Sequence, residues 1–223
     1  LLVLAPASVQ EMADFMVLGF DLAFKYRNPV LILSDGVIGQ MMEKVELEEQ
    51  KPRMDDQYIK ENHAWATTGK SPNKHRSIIT SLELDSAKQE IHNHKLQAKY
   101  KRMQEEETRY ETFGCEDAEY LIVAFGSSAR ISQKAMQLAR EKGIKVGILR
   151  PITLFPFPSD AINKLADQVK GILTVEMNAG QMIEDVRLAV NGKVKVEHFG
   201  RYGGIIPSPS EVEKALENIL IGG

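Results

Sequence analysis

The sequence predicts an α/β protein in two parts: a short β-α-β unit at the start and a small parallel-sheet domain at the end, joined by a long polar stretch. Three observations predict it. Residues 1–4 and 30–33 are apolar runs of strand length that bracket an amphipathic helical pattern. From residue 114 onward, four strand-like runs alternate with helical patterns, the arrangement that puts helices on both faces of a parallel sheet. Between the two parts, residues 86–113 are almost wholly charged and polar.

Taken in order, Leu1, Leu2, Val3 and Leu4 make the first strand. Pro6 and Ser8 stand where a helix is capped, and Val9, Met12, Ala13, Met16, Val17, Phe20 and Phe24 recur at spacings of three and four, which gives a helix with a wide apolar face. Pro29 forces Asn28 out of helical geometry and ends it. Residues 30–33 follow as a second buried strand that leads into Asp35-Gly36. Two parallel strands are not an independently stable core, so the rest of that domain is expected from other polypeptide. A chain that opens directly on a strand, without an initiator Met, points to a piece of something longer.

Residues 46–84 carry Pro52, Gly69 and Pro72, lose all periodicity and read as a long irregular excursion. In 86–113 the sparse apolar marks Ile91, Leu96, Tyr100, Met103 and Tyr110 fall at near-helical intervals, which predicts a solvated helix connecting two domains. Beyond Gly114 the strands are expected at 120–125, 145–149, 172–175 and 194–197. The helices are expected at 128–142, with Gly143 as its stop, and at 160–169, 182–190 and 210–220. The domains are therefore expected at 1–85, with the connecting helix 86–113, and at 114–223.

Composition narrows the function. The chain is 43% hydrophobic and 26% charged, and 28 Lys and Arg against 31 Asp and Glu give a net charge of −3, with no basic face to drive phosphate-backbone binding. Nucleic acid is not an expected partner. The apolar runs are strand-sized, short of the roughly 18 residues a membrane span needs, so a cytoplasmic protein without a membrane partner is expected. A single cysteine, Cys115, excludes a disulfide framework within the chain, and it excludes an iron–sulfur cluster ligated by this chain, since such clusters take about four thiolates. Cys115 follows a glycine and precedes Glu116 and Asp117, which would raise its pKa, and it is expected to be inert.

Several motifs carry candidate chemistry. Ala-Trp-Ala-Thr-Thr-Gly-Lys-Ser (64–71) meets the loose form of a P-loop but has no strand before it and Pro72 after it, so ATP binding there is rejected. Phe125-Gly126-Ser127-Ser128 sits at the carboxyl end of a strand and opens a helix; it reads either as an anion site or, without any ligand, as a tight turn with a serine N-cap. Asp35-Gly36 with Gly39-Gln40 either borders a site or forms a turn. His63, His75, His92, His94 and His198 lack partners at ligand spacing, so no metal is assigned to the chain. Residues 176–181 and 200–208 gather polar groups and glycines on one edge of the sheet, which suits a ligand in a free domain and docking in a subunit.

Five stretches together resemble the α subunit of 2-oxoacid:ferredoxin oxidoreductases, in wording nearest the 2-oxoisovalerate type: Leu-Ala-Pro-Ala-Ser-Val-Gln-Glu-Met (4–12), Tyr-Arg-Asn-Pro-Val (26–30), Ser-Asp-Gly-x-x-Gly-Gln-Met-Met-Glu (34–43), Trp-Ala-Thr-Thr-Gly (65–69) and Gly-Ile-Leu-Arg-Pro-Ile-Thr-Leu-Phe-Pro-Phe-Pro (147–158). The resemblance implies the C-terminal part of a pyrimidine-side thiamine-diphosphate domain followed by a transketolase C-terminal-like domain. It implies oxidative decarboxylation of a 2-oxoacid, of branched-chain type, with the acyl group passed to coenzyme A and electrons to ferredoxin. Thiamine diphosphate and magnesium would be shared with a β subunit, and iron–sulfur clusters would sit only in partner subunits, the γ and ferredoxin-like δ chains completing the assembly. The family's activating carboxylate and the arginine–threonine stretch that meets the substrate have no matching position here, so no catalytic residue is carried over. Asp35 and Gly36 are the matched residues placed at the cofactor interface, and the fragment is expected to be inactive alone. The residues leave two other classes open: a free nucleotide-binding α/β domain using 125–128, and a module whose only role is subunit assembly.

Overall fold

The computed structural model describes residues 1–47, 55–67, 69 and 78–222. Residues 1–46 and 99–223 form one unit and residues 47–98 a second. In the first unit, strand β1 (Leu2–Leu4) leads into helix α1 (Val9–Tyr26), which starts at Ser8, whose hydroxyl accepts the Glu11 amide. The helix ends earlier than Pro29 requires: Arg27 turns left-handed at φ 45°, and the amides of Arg27 and Asn28 return to the carbonyls of Phe24 and Ala23. Strand β2 (Val30–Ile32) lies parallel to β1 and is half-exposed, not buried as its apolar run predicts, because it is an edge strand. Asp35 then caps the short helix α2 (Gly36–Gln40).

The second unit holds helix α3 (Asp56–Asn62) inside a stretch expected to be irregular; Asp55 caps it by accepting the Tyr58 amide, and its seven residues contain no Gly or Pro to break it. Helix α4 (Ser86–Glu107) starts in this unit. It is shorter than the expected connecting helix, since residues 110–113 form strand β3 (Tyr110–Phe113). β3 pairs antiparallel with β5, so the second sheet is mixed and not purely parallel. The alternation of exposed Tyr110 and Thr112 with half-buried Glu111 and Phe113 is the period-two signal that the helical spacing of Tyr110 conceals.

Then follow β4 (Tyr120–Ala124), α5 (Gly126–Glu141), β5 (Val146–Pro151), β6 (Thr153–Phe155), α6 (Ser159–Leu165), β7 (Gly171–Glu176), α7 (Met182–Val190), β8 (Lys195–Gly200) and α8 (Pro209–Ala215), which continues as a wider turn over Leu216–Ile221. The sheet order β3-β5-β4-β7-β8 puts β4 at the centre. Its side chains divide by period two: Leu121 and Val123 pack with Ile162, Met182 and Val186 of α6 and α7, while Ile122 and Ala124 pack with Ala135, Ala139 and Val212 of α5 and α8. No local pattern at residues 153–155 announces β6. It leaves the large sheet directly after β5 and pairs antiparallel with β1, giving a three-stranded sheet β2-β1-β6 whose buried face, Leu2 and Leu4, meets Phe15, Leu22 and Met103.

Polar groups join this small sheet to the large one. Arg150, buried on β5, donates to both carboxylate oxygens of Glu11 on α1 and to Glu111 on β3. The end of α4 is held by a second cluster, in which Tyr26 donates to Glu106 and Glu107 and Lys25 pairs with both.

Candidate functional site

From β4 the chain goes first to β5 on one side and then, through β6 and α6, to β7 on the other. The reversal falls between β4 and β7, and the crevice beyond the carboxyl ends of such a strand pair is where open α/β sheets bind ligands. In this protein the chain fills part of that crevice itself. The Asp35 carboxylate accepts the amides of Val37 and Ile38 at 3.0 Å, capping α2, and accepts the amide and hydroxyl of Ser127 at 2.8 Å, capping α5 as well. Gly126 permits this approach: it sits at φ +58°, and a Cβ there would lie 2.8 Å from Asp35 Oδ2. The expected serine N-cap at 125–128 is thus replaced. Phe125 holds the cap position without a side-chain bond, and Ser127 donates outward to Asp35.

Beside this joint opens a cleft of about 510 Å³ lined by Asp35, Gly36, Val37, Gln40 and Met41 on one side and by Met177, Tyr202, Gly204, Ile205 and Ile206 on the other. Both edge segments singled out in the sequence, 176–181 and 200–208, therefore contribute, and they meet Asp35-Gly36. The lining is thioether, branched alkyl and phenol, with the Gln40 amide and the Asp35 carboxylate as its remaining polar side chains and with no Lys, Arg or His. Such a wall suits an uncharged ring or an apolar chain and opposes a diphosphate. Nothing in the sequence pattern marked Met177 or Tyr202 individually; the clue was the clustering of glycines at strand ends.

The remaining candidates resolve as structure. Glu176, fully buried at the end of β7, accepts the amides of Gln181, Met182 and Ile183 at the start of α7, and His198 stands 3.5 Å away, also in contact with Thr174. Burial pushes the Cys115 thiol above its ordinary pKa, and its sulfur faces the carbonyls of Ile148 and Phe113, an unreactive setting. Thr68, Lys70 and Ser71 of the P-loop-like stretch, and His75, lie outside the described residues. Among the described residues no group of three His, Cys, Asp or Glu is placed to hold a metal ion, and no helix is long and apolar enough to cross a membrane.

Comparison with known families decides the lineage. Residues 1–112 match the family model described as pyruvate flavodoxin/ferredoxin oxidoreductase, thiamine-diphosphate-binding, and residues 118–212 match pyruvate:ferredoxin oxidoreductase core domain II. The chain belongs to the 2-oxoacid:ferredoxin oxidoreductase family. Within it, the chain is similar to the ketoisovalerate oxidoreductase subunit VorB of Methanothermobacter thermautotrophicus, 44% identical over 98% of this chain and 59% of the relative. It is also similar to the 2-oxoglutarate synthase subunit KorA of Methanocaldococcus jannaschii, 33% identical over 96% of this chain and 62% of that one. The chain thus spans about three fifths of the length of these curated relatives. In fold, this oxidoreductase chain is similar to the 2-oxoglutarate:ferredoxin oxidoreductase from Magnetococcus marinus, solved with 2-oxoglutarate, coenzyme A and succinyl-CoA bound, at a TM-score of 0.72 and 20% identity over 97% of this chain and 42% of that one. The fold class expected from the resemblance, a thiamine-diphosphate-binding part followed by a second α/β domain, holds.

Proposed function

We propose that this chain is part of the α-type subunit of a thiamine-diphosphate-dependent oxidoreductase that acts on a branched-chain 2-oxoacid. The substrate loses carbon dioxide, its acyl group forms a thioester with coenzyme A, and two electrons pass to ferredoxin. The observation that carries this reading is the graded likeness along nearly the whole chain, 44% identity to a ketoisovalerate oxidoreductase subunit against 33% to a 2-oxoglutarate synthase subunit. The apolar lining of the cleft is compatible with an uncharged ring edge of the cofactor. When bound, thiamine diphosphate supplies the nucleophilic carbon that makes decarboxylation accessible. In this reading Gly36, Val37 and Gln40 present backbone and amide to that edge. Asp35 acts from behind, its carboxylate already committed to four donors. The cofactor's diphosphate and magnesium are assigned to a β subunit, and the iron–sulfur clusters to γ- and δ-type partners, in the cytoplasm.

The free nucleotide-binding alternative is disfavoured, because the Asp35 carboxylate already occupies the Ser127 amide at the start of α5 and puts a negative charge where a phosphate would sit. The test is a ferredoxin-reduction assay of the full complex with 2-oxoisovalerate, pyruvate and 2-oxoglutarate, with coenzyme A and thiamine diphosphate each omitted in turn. The highest kcat/KM is expected for 2-oxoisovalerate, with dependence on both additions. A preference for 2-oxoglutarate, or turnover without thiamine diphosphate, would overturn the assignment.

A further inference from the structure

The segment 35–43 supplies one wall of the cleft through Asp35, Gly36, Val37, Gln40 and Met41, yet little of its own secondary structure holds it: α2 is five residues long, and residues 41–47 are irregular. It is gripped from helix α5 of the other sheet. Ser127 holds its first residue, donating amide and hydroxyl to Asp35. One turn further along α5, Arg130 holds its last, with Nη2 2.8 Å from Glu43 Oε1 and Nη1 facing the Met41 sulfur and the Ala7 carbonyl. Ser127 and Arg130 are three residues apart and so lie on one face of the helix. The Arg130 guanidinium, bonded to Glu43, is the main cause that holds this carboxyl below the ordinary range, and the Val9 amide adds to it.

We propose that helix α5 is a two-point clamp, Ser127 on Asp35 and Arg130 on Glu43, which positions the 35–43 wall, so that the second domain sets how tightly the first domain's site takes its cofactor. Ser127 and Arg130 are positioning residues: neither lines the cleft, and both act through the segment they hold. This inference rests on the proposed thiamine-diphosphate reading, and it gives the second domain a role in that site beyond filling space.

The test uses the full-length subunit in its complex, with Ser127→Ala, Arg130→Met and the double variant. In the double variant the half-saturating concentration of thiamine diphosphate is expected to rise on the order of tenfold, the usual cost of loosening a supporting contact, while kcat at saturating cofactor stays within about twofold. Arg130→Lys, which can still reach Glu43, is expected to recover most of the loss. Should the double variant fail to assemble, Glu43→Gln, which removes the ion pair from the partly exposed side, is read the same way. An unchanged half-saturating concentration in a folded complex would overturn the clamp, as would a fall in kcat alone. Amide hydrogen exchange over 36–41 separates this from failure of the functional reading: a complex that ignores thiamine diphosphate yet exchanges these amides faster in the double variant refutes the reading and keeps the clamp, whereas unchanged exchange refutes the clamp itself.

Discussion

Replacing Arg150 by Met should be among the most damaging single changes in the first unit, and its cost can be worked from the contacts. The Arg150 side chain is 5% exposed; it donates from Nη1 to Glu11 at 2.9 Å and to Glu111 at 2.9 Å, and from Nη2 to the second Glu11 oxygen and to the Ala5 carbonyl. Removing one partner of a fully buried ion pair costs about 3–5 kcal/mol, because the other charge is left without compensation. Here the stranded carboxylates are not fully buried, at 23% exposed for Glu11 and 43% for Glu111, so water recovers part of the loss. The expected destabilisation is therefore near the lower bound, about 3 kcal/mol. Glu11→Gln keeps the shape and loses the charge, for about 1–2 kcal/mol, and Glu111→Gln costs under about 1 kcal/mol, as for exposed pairs. Urea unfolding followed by circular dichroism gives the three values, and a double-mutant cycle should return a coupling between Arg150 and Glu11 of about 1–2 kcal/mol. A neutral or stabilising Arg150→Met would show that apolar packing, not this ion cluster, joins the two sheets.

Asp35→Ala removes a helix cap worth about 1 kcal/mol and strands the buried Ser127 hydroxyl and amide, so a loss of about 2–4 kcal/mol is expected by the same unfolding assay. Gly126→Ala should be comparably harmful, since its φ of +58° and the 2.8 Å approach to Asp35 leave no room for a methyl. The cluster at the end of α4 predicts a stability window in pH. Bonds from Arg102 and then from Lys25 hold the Glu106 carboxyl at about 2; burial raises Glu107, but its bonds to Lys25, Tyr26 and Arg109 outweigh that and leave it lowered. Folded pKa values below the ordinary carboxylate value give stability that is present above about pH 4.5 and lost as pH falls toward 2. Tyr26 is pushed up to about 12 by burial and by bonds to the same carboxylates, so its contribution is present below pH 10 and lost as pH rises through 12. Hydrogen exchange of residues 99–107 against pH should show protection falling at both ends; flat protection from pH 2 to 5 would contradict the cluster. The Cys115 thiol should react with iodoacetamide only as fast as the connection between β3 and β4 opens, and a native rate equal to that of the unfolded chain would contradict its burial.

Much of this fold was legible because its signals are local. Ser8 before α1 and Gly143 after α5 each state an element boundary within a few residues. The three-and-four spacing from Val9 to Phe24 places the helix but not its packed face: Met16, Val17, Phe20 and Phe24 stand exposed, and α1 meets the small sheet through Phe15, Leu22 and Tyr26. What escaped was set by partners distant in sequence. β6 is three residues whose only reason to be a strand is β1, some 150 positions earlier, and the helical interval from Met103 to Tyr110 conceals β3. Half-exposed β2 shows the same limit: an apolar run reports what could be buried, whereas a place at the sheet edge decides what is. At the site, the three segments that meet, around Asp35, 176–181 and 200–208, are legible in the sequence, but not that the Asp35 carboxylate, at the cleft's edge, also caps α5. That bond joins positions 92 residues apart, and a serine at the helix start has a simpler local explanation.

The proposed function requires that this chain offer one wall of a thiamine-diphosphate site that another subunit completes. Calorimetric titration of thiamine diphosphate with magnesium into the full-length subunit alone, and then into the subunit mixed with its β-type partner, tests it directly. Weak or undetectable binding alone and at least about 100-fold tighter binding in the mixture, a gap of some 2.7 kcal/mol, is the predicted result. Equally tight binding by the isolated subunit, or by the partner without it, would contradict the claim.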